Sequence, residues 1–477
     1  MLRDSGNRKL CRAVCAAVMV GLFILVSSSL AGINYTGWED IGVVYTPEDG
    51  DAYYPSVIFD GNGFGEGSRP FKMWYSDGSG GVYLVDSDDG HIWSEPVENE
   101  GLSGSPHHVQ VIYDAKGFGD STGPRYKIWY WNIDGGIYTF DAFGYAESDD
   151  GYRWNDCTDS LFQDDDRKLV GDAAGNWNSG TYGPVSIIYQ PDAPNDGKSP
   201  FDYSYVLFYD ATDGQSEVTG LAYSADGLKW IRYVDEAVLS GGPASSWDCS
   251  DAAYGTVFMD DAGYHYWYSG GGGDDGQGGC KPGRVHEGIG YAYSVDGINW
   301  KRGGGNPIFH IDDGVPHRNE RGYTPAIVKD ADGDLYMFYS AKAEGGKKKI
   351  ALAKLFPTVH VRIDIRPGFI LLPGKYRWWR SVRVAILSSP DFDATSQVDR
   401  DTLSFGRTGY EDSLRRCFRR PRDVNRDGLD DLVCVFRRHD TGFQCGDRVG
   451  YLRGMTVDGY HLEGTDAVRV FPCRRWR

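Results

Sequence analysis

Long hydrophobic runs and sustained helical periodicity are almost absent from this 477-residue sequence. Its one extended apolar run, Ala16–Val26, is shorter than the ~20 residues that comfortably span a bilayer. The run follows a basic start and precedes the small-residue triplet Ser29–Ala31, a layout typical of a secretory signal peptide. We therefore expect residues 1–31 to be removed and the mature protein, which has no membrane span, to be secreted to the periplasm, cell surface or medium.

Basic residues are scarce outside the C-terminal region. Residues 32–359 carry 23 Lys or Arg against 51 Asp or Glu, whereas residues 360–477 carry 22 against 16. A surface as acidic as the first segment repels phosphate backbones, so we expect no nucleic-acid partner. For the arginines of the second segment we favour a solvated basic face over contact with an anionic polymer. They are concentrated at Arg415, Arg416, Arg419, Arg420 and Arg422.

Cysteine is infrequent, and its spacing contains no CxxC or Cys/His pattern that indicates zinc. Two of the nine cysteines, Cys11 and Cys15, leave with the signal peptide. Disulfides in an oxidising compartment are predicted for the others, with buried free thiols as the alternative and Cys157 left over. Cys249 and Cys280 share one repeat, and a second group consists of Cys417, Cys434, Cys445 and Cys473.

A seven-residue phrase, S-x-D-G-x-x-W, recurs four times along the chain. Its copies are Ser87–Trp93, Ser148–Trp154, Ser224–Trp230 and Ser294–Trp300. An aromatic strand pattern such as Phe71–Ser76 precedes each copy, and a fifth such pattern, Leu335–Ser340, lacks the phrase. Because Asp-Gly supplies the positive φ of a tight hairpin and the Ser and Asp side chains can bind turn amides, we interpret the phrase as structural.

The repeats divide residues 45–355 into five units of three or four short strands separated by Gly/Asp turns. Radial repetition of small antiparallel sheets is a β-propeller, so the sequence predicts an all-β fold with five blades. An array of β-sandwiches is the alternative, and it explains the constant strand–turn–strand phrase less well. We place the propeller at residues 32–357 and a small β-sandwich-like domain at residues 358–477.

The M-W-Y-S strand at Met73–Ser76 and the G-x-A-x-S-x-D-G-x-x-W strands resemble the five-bladed superfamily of arabinanases, levansucrases and invertases, glycoside hydrolase families 43 and 32. The resemblance covers roughly residues 45–355. The phrase differs from the sialidase Asp-box, which has one more residue between Asp and Gly. The resemblance implies a funnel lined by the first strand of each blade, in which an Asp base, a second Asp and a Glu proton donor cleave glycosides.

The sequence departs from the acidic pattern of that superfamily. Tyr54-Pro55 stands where Asp-Pro is expected in the first blade, and the second blade offers His107-His108. In the third blade, Tyr182-Gly183-Pro184 stands where Glu-Gly-Pro is expected. The family's standard triad is therefore missing.

Other acidic residues flank the predicted inner strands. We select Asp51, Asp251 and Glu320 as the candidate catalytic trio because they flank inner strands of three different blades. A further set precedes the G-x-A strands at a common spacing: Asp141, Glu217 and Glu287. In a chain this acidic, a solvated loop charge is the alternative for each of them.

Aromatic, histidine and arginine side chains near the same strands are candidate substrate contacts. Tyrosine rings can form platforms for sugar rings, and Arg321 can pair a substrate carboxylate or balance Glu320. Adjacent histidines on a strand point to opposite faces, so at most one of them faces the funnel. The candidate contacts are Tyr54, His107, His108, Tyr182, Tyr254, Arg321 and Tyr323.

The C-terminal segment contains a calcium-loop pattern, D-x-N-x-D-G-x-x-D, at Asp423–Asp431. The loop resembles those of integrin-type and dockerin-like modules, and Cys434 at its twelfth position excludes a full EF-hand. We expect a structural Ca²⁺ there, with a plain Asx turn as the alternative. Its predicted ligands are Asp423, Asn425, Asp427, the Leu429 carbonyl and Asp431.

Together these features predict a secreted glycoside hydrolase-like protein that acts on an extracellular polysaccharide or oligosaccharide. The alternative is a non-catalytic glycan-binding or cell-surface propeller, because the expected acid triad is missing. Carbohydrate is the expected partner, and we expect a monomer.

Overall fold

The computed structural model of the protein describes residues 35–471 with internal gaps. The predicted signal peptide, Asp141 and Cys473 lie outside the described residues. The residues not described are 1–34, 36, 134–142, 159–160, 162–176, 234–235, 261–262, 282–286, 332, 356–357, 367–369, 372–380, 458–459 and 472–477.

Short antiparallel strands make up most of residues 39–355, as the alternating aromatic pattern predicts. Numbered along the chain, they are β1 (Glu39–Tyr45), β2 (Tyr53–Phe59), β3 (Phe71–Ser76), β4 (Val82–Ser87), β5 (Val97–Glu98), β6 (Pro106–Tyr113), β7 (Tyr126–Asn132), β8 (Phe143–Ser148), β9 (Asn155–Asp156), β10 (Gly180–Tyr189), β11 (Tyr205–Thr212), β12 (Glu217–Ser224), β13 (Ile231–Arg232), β14 (Asp251–Asp260), β15 (Gly263–Gly271), β16 (Gly288–Ser294), β17 (Lys301–Arg302), β18 (Phe309–His310), β19 (Arg321–Lys329), β20 (Leu335–Lys342) and β21 (Lys348–Leu355).

These strands form five sheets, each built on four strands. Four sheets follow the chain in order, as β2-β3-β4-β5, β6-β7-β8-β9, β10-β11-β12-β13 and β14-β15-β16-β17, with β18 also paired to β16. The first strand of each sheet contacts that of the next, and β19 of the fifth sheet contacts β2, so the sheets close a ring. The protein therefore contains the predicted five-bladed propeller, with β2, β6, β10, β14 and β19 as its inner strands.

The repeated phrase forms the same turn in all four copies. In the first copy, Ser87 Oγ accepts the Gly90 amide at 2.9 Å and Asp89 Oδ1 accepts the His91 amide at 2.8 Å. The Ser-to-Gly distance is also 2.9 Å in the other three copies. The turn is therefore held by its own side chains, as its composition predicts.

Each turn packs against the preceding blade. The indole N–H groups of Trp74 and Trp129 donate to the Gly151 and Gly227 carbonyls of the next blade's turn, at 2.8 and 3.0 Å. The phrase Trp of the fourth blade, Trp300, contacts Phe208 of the third at 6.0 Å between ring centres. The phrase therefore joins neighbouring blades.

The N-terminal strand completes the fifth blade, whose sheet order is β19-β20-β21-β1. Trp38 directly precedes β1, as a phrase Trp precedes the outermost strand of every other blade. It packs edge-on against Trp267 of the fourth blade at 5.6 Å, and its indole N–H donates to the Tyr35 carbonyl at 2.9 Å. Trp38 thus supplies from the start of the chain the contact that the fifth repeat lacks.

The remaining described residues form a second all-β domain. Its strands are β22 (Thr358–Arg366), β23 (Ile370–Leu371), β24 (Ser381–Ile386), β25 (Val398–Gly406), β26 (Leu414–Cys417), β27 (Leu432–Arg437), β28 (Val449–Thr456), β29 (His461–Ala467) and β30 (Val470–Phe471). Seven of them form one sheet in the order β25-β28-β29-β22-β24-β27-β26, and its two end strands contact each other. The predicted fold class is confirmed, with this domain as one nearly closed sheet around a single core.

Helical segments in the described residues are single turns. No described helix is long and apolar enough to cross a membrane. The segments are Gly63–Gly67, Pro200–Asp202, Ile311–Asp313, Pro316–Arg318, α1 (Ala394–Gln397) and Arg438–Thr441.

Both predicted disulfide groups contain a bonded pair in the structure, Cys249–Cys280 in one and Cys417–Cys434 in the other. The second pair joins β26 directly to β27. Cys157 is a free thiol. Disulfides in both domains fit an oxidising compartment.

Trp38→Ala is expected to destabilise the propeller by about 3–5 kcal/mol, because Trp38 is buried at the ring closure and its loss leaves a cavity beside Trp267. Urea unfolding measures the change. Ile92→Ala is the control, since Ile92 is 75% exposed and its truncation should stay within about 0.5 kcal/mol. Equal stability of the two variants would show that the N-terminal strand does not close the ring.

Candidate functional site

One backbone irregularity recurs at the centre of the propeller. Each inner strand carries a residue with positive φ where its pairing shifts register, a β-bulge. Four of the five are not glycine, so each of those costs roughly 1–3 kcal/mol that the surroundings must offset. The bulge residues are Tyr54 (54°), His108 (44°), Gly183 (104°), Tyr254 (40°) and Thr324 (50°).

Side chains from the preceding blade hold three of these bulges. The Tyr54 amide donates to Ser340 Oγ at 2.9 Å, and the Thr324 amide donates to Ser269 Oγ at 2.8 Å. The Tyr254 amide donates to Asp210 Oδ1 at 3.1 Å. The three acceptors occupy equivalent positions on second strands of their blades, so the third blade has a carboxyl group where the fourth and fifth blades have a hydroxyl.

The side chains of the inner strands fill the axis with aromatic rings. Tyr53, Tyr54, Tyr254 and Tyr323 are all buried in one cluster, and Tyr182 packs against it. Six of the seven predicted substrate contacts therefore lie within this cluster or in ring contact with it: Tyr54, His107, His108, Tyr182, Tyr254 and Tyr323. The seventh, Arg321, hydrogen-bonds Tyr323.

Both histidines are buried beside these rings. His108 stacks on Tyr54 at 4.7 Å, and its Nδ1 lies 3.9 Å from Asp210 Oδ2. Burial, followed by the charge of Lys348, lowers the pKa of His107 to about 4. Burial, followed by the neighbouring His107, lowers the pKa of His108 to about 3. Both rings are therefore neutral at pH 7 and pack against the neighbouring aromatic rings.

Three carboxyl groups meet at the junction of the third and fourth blades. Asp210 on β11 pairs with Thr219 on β12, so Glu217, two residues from Thr219, lies on the same face of the sheet as Asp210. The Glu217 amide donates to Asp251 Oδ1 at 2.9 Å, which places Asp251 of β14 against Glu217. The Ser250 hydroxyl donates to Asp251 Oδ2 at 2.6 Å.

Burial, followed by repulsion from neighbouring carboxyl groups, raises the pKa of all three carboxyl groups. For Asp210, which is fully buried, burial and then the Glu217 charge raise the pKa well above its usual range. For Glu217, burial and then the Asp251 charge raise the pKa to about 8, although Tyr254 hydrogen-bonds the carboxylate. Burial raises the pKa of Asp251, whose carboxylate keeps its two hydrogen bonds. At pH 7 the Glu217 carboxyl therefore favours its protonated form, and it lies beside Asp251, whose carboxylate accepts two hydrogen bonds.

The structure divides the predicted catalytic trio. Asp251 joins Glu217 and Asp210, whereas Asp51 and Glu320 lie beside lysines of the fifth blade. Asp51 Oδ1 accepts the Lys348 amide at 2.9 Å, and Glu320 Oε1 accepts from Lys342 Nζ at 2.6 Å. The hydrogen bond from Lys342 is also the main reason that the pKa of the Glu320 carboxyl is lowered.

Lys348 connects this second group to the aromatic cluster. Its Nζ lies 3.4 Å from the centre of the Tyr53 ring and 3.9 Å from Asp51 Oδ2. Burial lowers its pKa to about 8, against the opposing charge of Asp51. The fifth blade thus carries paired charges near the axis, whereas the buried acids lie at the junction of the third and fourth blades.

Asp210 was not among the sequence candidates, and Glu217 was noted only for its position before a G-x-A strand. Alignment of the second strands from their aromatic starts would have identified Asp210. It places Asp210 of Tyr205–Asp210 in register with Ser269 and Ser340.

The predicted calcium loop is folded around its own backbone amides. Asp423 accepts the Arg426 and Gly428 amides at 2.6 and 3.0 Å, and Asp427 accepts the Leu429 amide at 2.9 Å. Asp431 is fully buried and accepts two further amides. Among the residues that the structure describes, no three His, Cys, Asp or Glu side chains gather closely enough to hold a metal ion.

No family model and no curated protein matches the sequence. Solved structures with a similar shape include a glycoside hydrolase, at 17% identity over 66% of this protein and 90% of that one, with a TM-score of 0.45. An N-acetylgalactosamine deacetylase from F. plautii, in complex with blood group B trisaccharide, shares 17% identity over 68% and 95%, with a TM-score of 0.42. A thermostable family-43 glycoside hydrolase shares 13% identity over 65% and 91%, with a TM-score of 0.43. The fold is assigned from the sheet order, and no activity is inferred from these similarities.

Glu217→Gln is expected to reduce the loss of stability between pH 5 and pH 8. In the wild type, the unfolded chain loses the Glu217 proton near the ordinary value of 4.5 while the folded protein keeps it to about 8, so stability falls as pH rises across this window. Glutamine removes that titration. Thermal unfolding measures the effect. The Tm difference between the variant and the wild type should shift in favour of the variant from pH 5 to pH 8, by about 2–4 °C for each kcal/mol of unfolding free energy that the variant no longer loses.

Glu320→Gln is the matched control for this experiment. The pKa of Glu320 is lowered, so any stability it contributes is present above pH 4.5 and is not lost toward pH 8. If both variants show the wild-type pH dependence, the Glu217 carboxyl does not hold a proton in the folded protein.

Proposed function

We propose that the protein is a glycoside hydrolase-like enzyme that cleaves an extracellular polysaccharide or oligosaccharide, with Glu217 as the proton donor and Asp251 as the opposing carboxylate. The observation that carries the proposal is the juxtaposition of a buried, protonated Glu217 with a hydrogen-bonded Asp251. Glycoside cleavage requires this combination, because one carboxyl protonates the leaving oxygen while the other attacks the sugar or activates water.

Glu217 has the properties of a general acid. A pKa of about 8 keeps its proton in place at neutral pH and still allows transfer to an oxygen whose bond is breaking. The Tyr254 hydrogen bond orients the carboxyl and stabilises the anion that remains after transfer. Burial and the Glu217 charge raise the pKa of Asp210, behind it, well above the usual range, which favours the uncharged form of Asp210.

Asp251 has the properties of the second carboxyl group, which acts opposite the proton donor. Its two oxygens accept hydrogen bonds from the Glu217 amide and the Ser250 hydroxyl, which favour its ionised form. Because these donors also fix its orientation, Asp251 can act on one side of a bound glycosidic bond as Glu217 acts on the other. The tyrosines around Tyr254, and Arg321 beyond them, would contact the sugar rings.

One observation favours the alternative of a non-catalytic glycan-binding propeller. The positions at which the resembled superfamily carries its acids hold Tyr54, His107, His108 and Tyr182, and these side chains fill the axis with neutral rings. Aromatic rings bind sugars without cleaving them. The two functions differ in whether bound glycan is released as shorter products.

Residues 32–477 incubated with a panel of plant and algal polysaccharides should release reducing ends. Glu217→Gln and Asp251→Asn should each lower that release by about 10²–10⁴-fold, because each removes one half of the acid pair. Retention on immobilised glycans should persist in both variants. Binding without release by the wild type would establish the glycan-binding alternative.

Asp51→Asn and Glu320→Gln are the matched carboxyl-to-amide controls. If the active pair is Glu217 and Asp251, both controls should retain release within a few-fold of the wild type. If the active group is instead the trio of Asp51, Asp251 and Glu320, the controls should lose release and Glu217→Gln should not.

We also propose that the loop Asp423–Asp431 binds a structural Ca²⁺ through the predicted set of oxygens. The loop's compact fold supports this, since Asp423 Oδ2 and Asp427 Oδ1 each accept one amide and retain a lone pair for a cation. The ion would stabilise the C-terminal domain and take no part in cleavage.

Added calcium should therefore raise the Tm of the C-terminal domain relative to EDTA. Mass action adds about 2.7 kcal/mol to the free energy of unfolding when free calcium is at a hundredfold excess over Kd. Asp427→Asn should weaken this response, whereas Asp401→Asn, an exposed acid outside the loop, should leave it unchanged. Equal Tm values of the wild type in calcium and in EDTA would overturn the proposal.

A further inference from the structure

We propose that an arginine face on the C-terminal domain binds a carboxylate-bearing polysaccharide and so holds the protein on an acidic polymer. This proposal concerns a surface separate from the acid cluster and does not depend on catalysis. The arginine face consists of Arg383 on β24, Arg415 and Arg416 on β26, and Arg419, Arg420 and Arg422 in the segment that follows.

Sheet register places the first arginines side by side. Arg383 on β24 and Arg416 on β26 are both paired with Val435 of the intervening strand β27. The neighbours of Val435 along β27, Cys434 and Phe436, belong to the domain core, so Val435 lies on the opposite, outer face. Val435 is nonetheless buried, as expected for a residue flanked by two long side chains.

One aromatic ring gathers three of the guanidinium groups. The guanidinium carbons of Arg383, Arg416 and Arg422 lie 6.0, 5.5 and 5.7 Å from the centre of the Phe418 ring. Attraction to the ring offsets part of the repulsion among these cations. Three like charges held around one ring still raise the local positive potential, which an anionic ligand would relieve.

The arginine face has no carboxylate partners within the described part of the chain. Residues Leu414–Arg422 contain five arginines and no acidic residue. Other arginines of the same domain are paired: Arg366 with Asp364, Arg407 with Asp447 and Arg453 with Glu463. The exposed guanidinium groups of the arginine face, which pair with no described carboxylate, match the bidentate geometry of carboxylates.

Charge distribution favours a narrow linear polymer as the ligand. Residues 32–359 carry 51 acidic against 23 basic residues, so a broad anionic surface such as a membrane or a nucleic-acid duplex would meet repulsion from the propeller. A single polysaccharide chain needs to contact only β26 and the Arg419–Arg422 segment. Carboxylates repeated along such a polymer would each engage one or two guanidinium groups.

Retention of residues 32–477 on immobilised polygalacturonate, with dextran as the neutral polymer, tests the proposal. The protein should bind polygalacturonate at low salt and dextran weakly, and added salt should weaken the binding through screening. The variant R416Q/R419Q/R422Q should bind at least about tenfold more weakly, because charged bidentate contacts are lost. The control R69Q/R407Q/R453Q removes the same number of charges from arginines that are paired with carboxylates and lie outside the arginine face, and it should bind within about twofold of the wild type.

The single variant Arg419→Glu keeps the test decisive if the triple variant fails to fold, because Arg419 is exposed and its charge reversal should also weaken binding. Wild-type retention by both face variants would overturn the proposal. An equal loss in the paired-arginine control would also overturn it, because net charge alone would then explain binding. Binding only to anionic lipid vesicles or duplex DNA would identify a different partner and overturn it as well.

Discussion

The hydrogen bond between a bulge amide and a side chain of the preceding blade is the constraint on which the centre of the propeller depends. Each inner strand adopts positive φ at the axis, and Tyr54, Tyr254 and Thr324 do so without the freedom of glycine. Their amides are held by Ser340, Asp210 and Ser269. The same contacts join adjacent blades, so ring closure and the local conformation at the axis are coupled.

The acid cluster follows from this arrangement at a single position. Asp210 accepts a bulge amide as the equivalent serines do, but it also brings a carboxyl group into a fully buried site. Glu217 and Asp251, at the starts of β12 and β14, lie at the same junction, and burial raises the pKa of these carboxyl groups above the values they have in water. The proposed chemistry therefore lies between the third and fourth blades, whereas neutral rings occupy the axis.

The fold could be predicted from the sequence because its determinants are local and repeated. The Asp-Gly phrase specifies its own turn through side chains two and three residues away, and four copies at regular intervals indicate radial repetition. The contribution of Trp38 could not be predicted in this way, because this residue lies at the start of the chain, far from the fifth unit that it completes. Its signal was a Trp directly before a strand, without the preceding Ser and Asp-Gly.

The candidate site was only partly predictable for a different reason. Asp251 could be placed near an inner strand by its sequence position, but a carboxyl group acquires a raised pKa only through burial and neighbours from other blades. Glu217 and Asp251 are 34 residues apart, and their contact is a backbone-to-side-chain hydrogen bond that no spacing pattern encodes. Asp51 and Glu320 have similar sequence contexts, yet lysines from β20 and β21 neutralise them.

Burial beside the Asp251 carboxyl group is expected to keep the Glu217 proton in place at neutral pH. A pH titration of ¹³C-labelled glutamate carboxyl groups by NMR, with Glu217→Gln used to assign the signal, tests this directly. We expect the Glu217 carboxyl to titrate with a pKa of about 8 in the wild type. Its pKa should be lower in Asp251→Asn, where the neighbouring charge is gone. A Glu217 signal that titrates at its ordinary value in both proteins would contradict it.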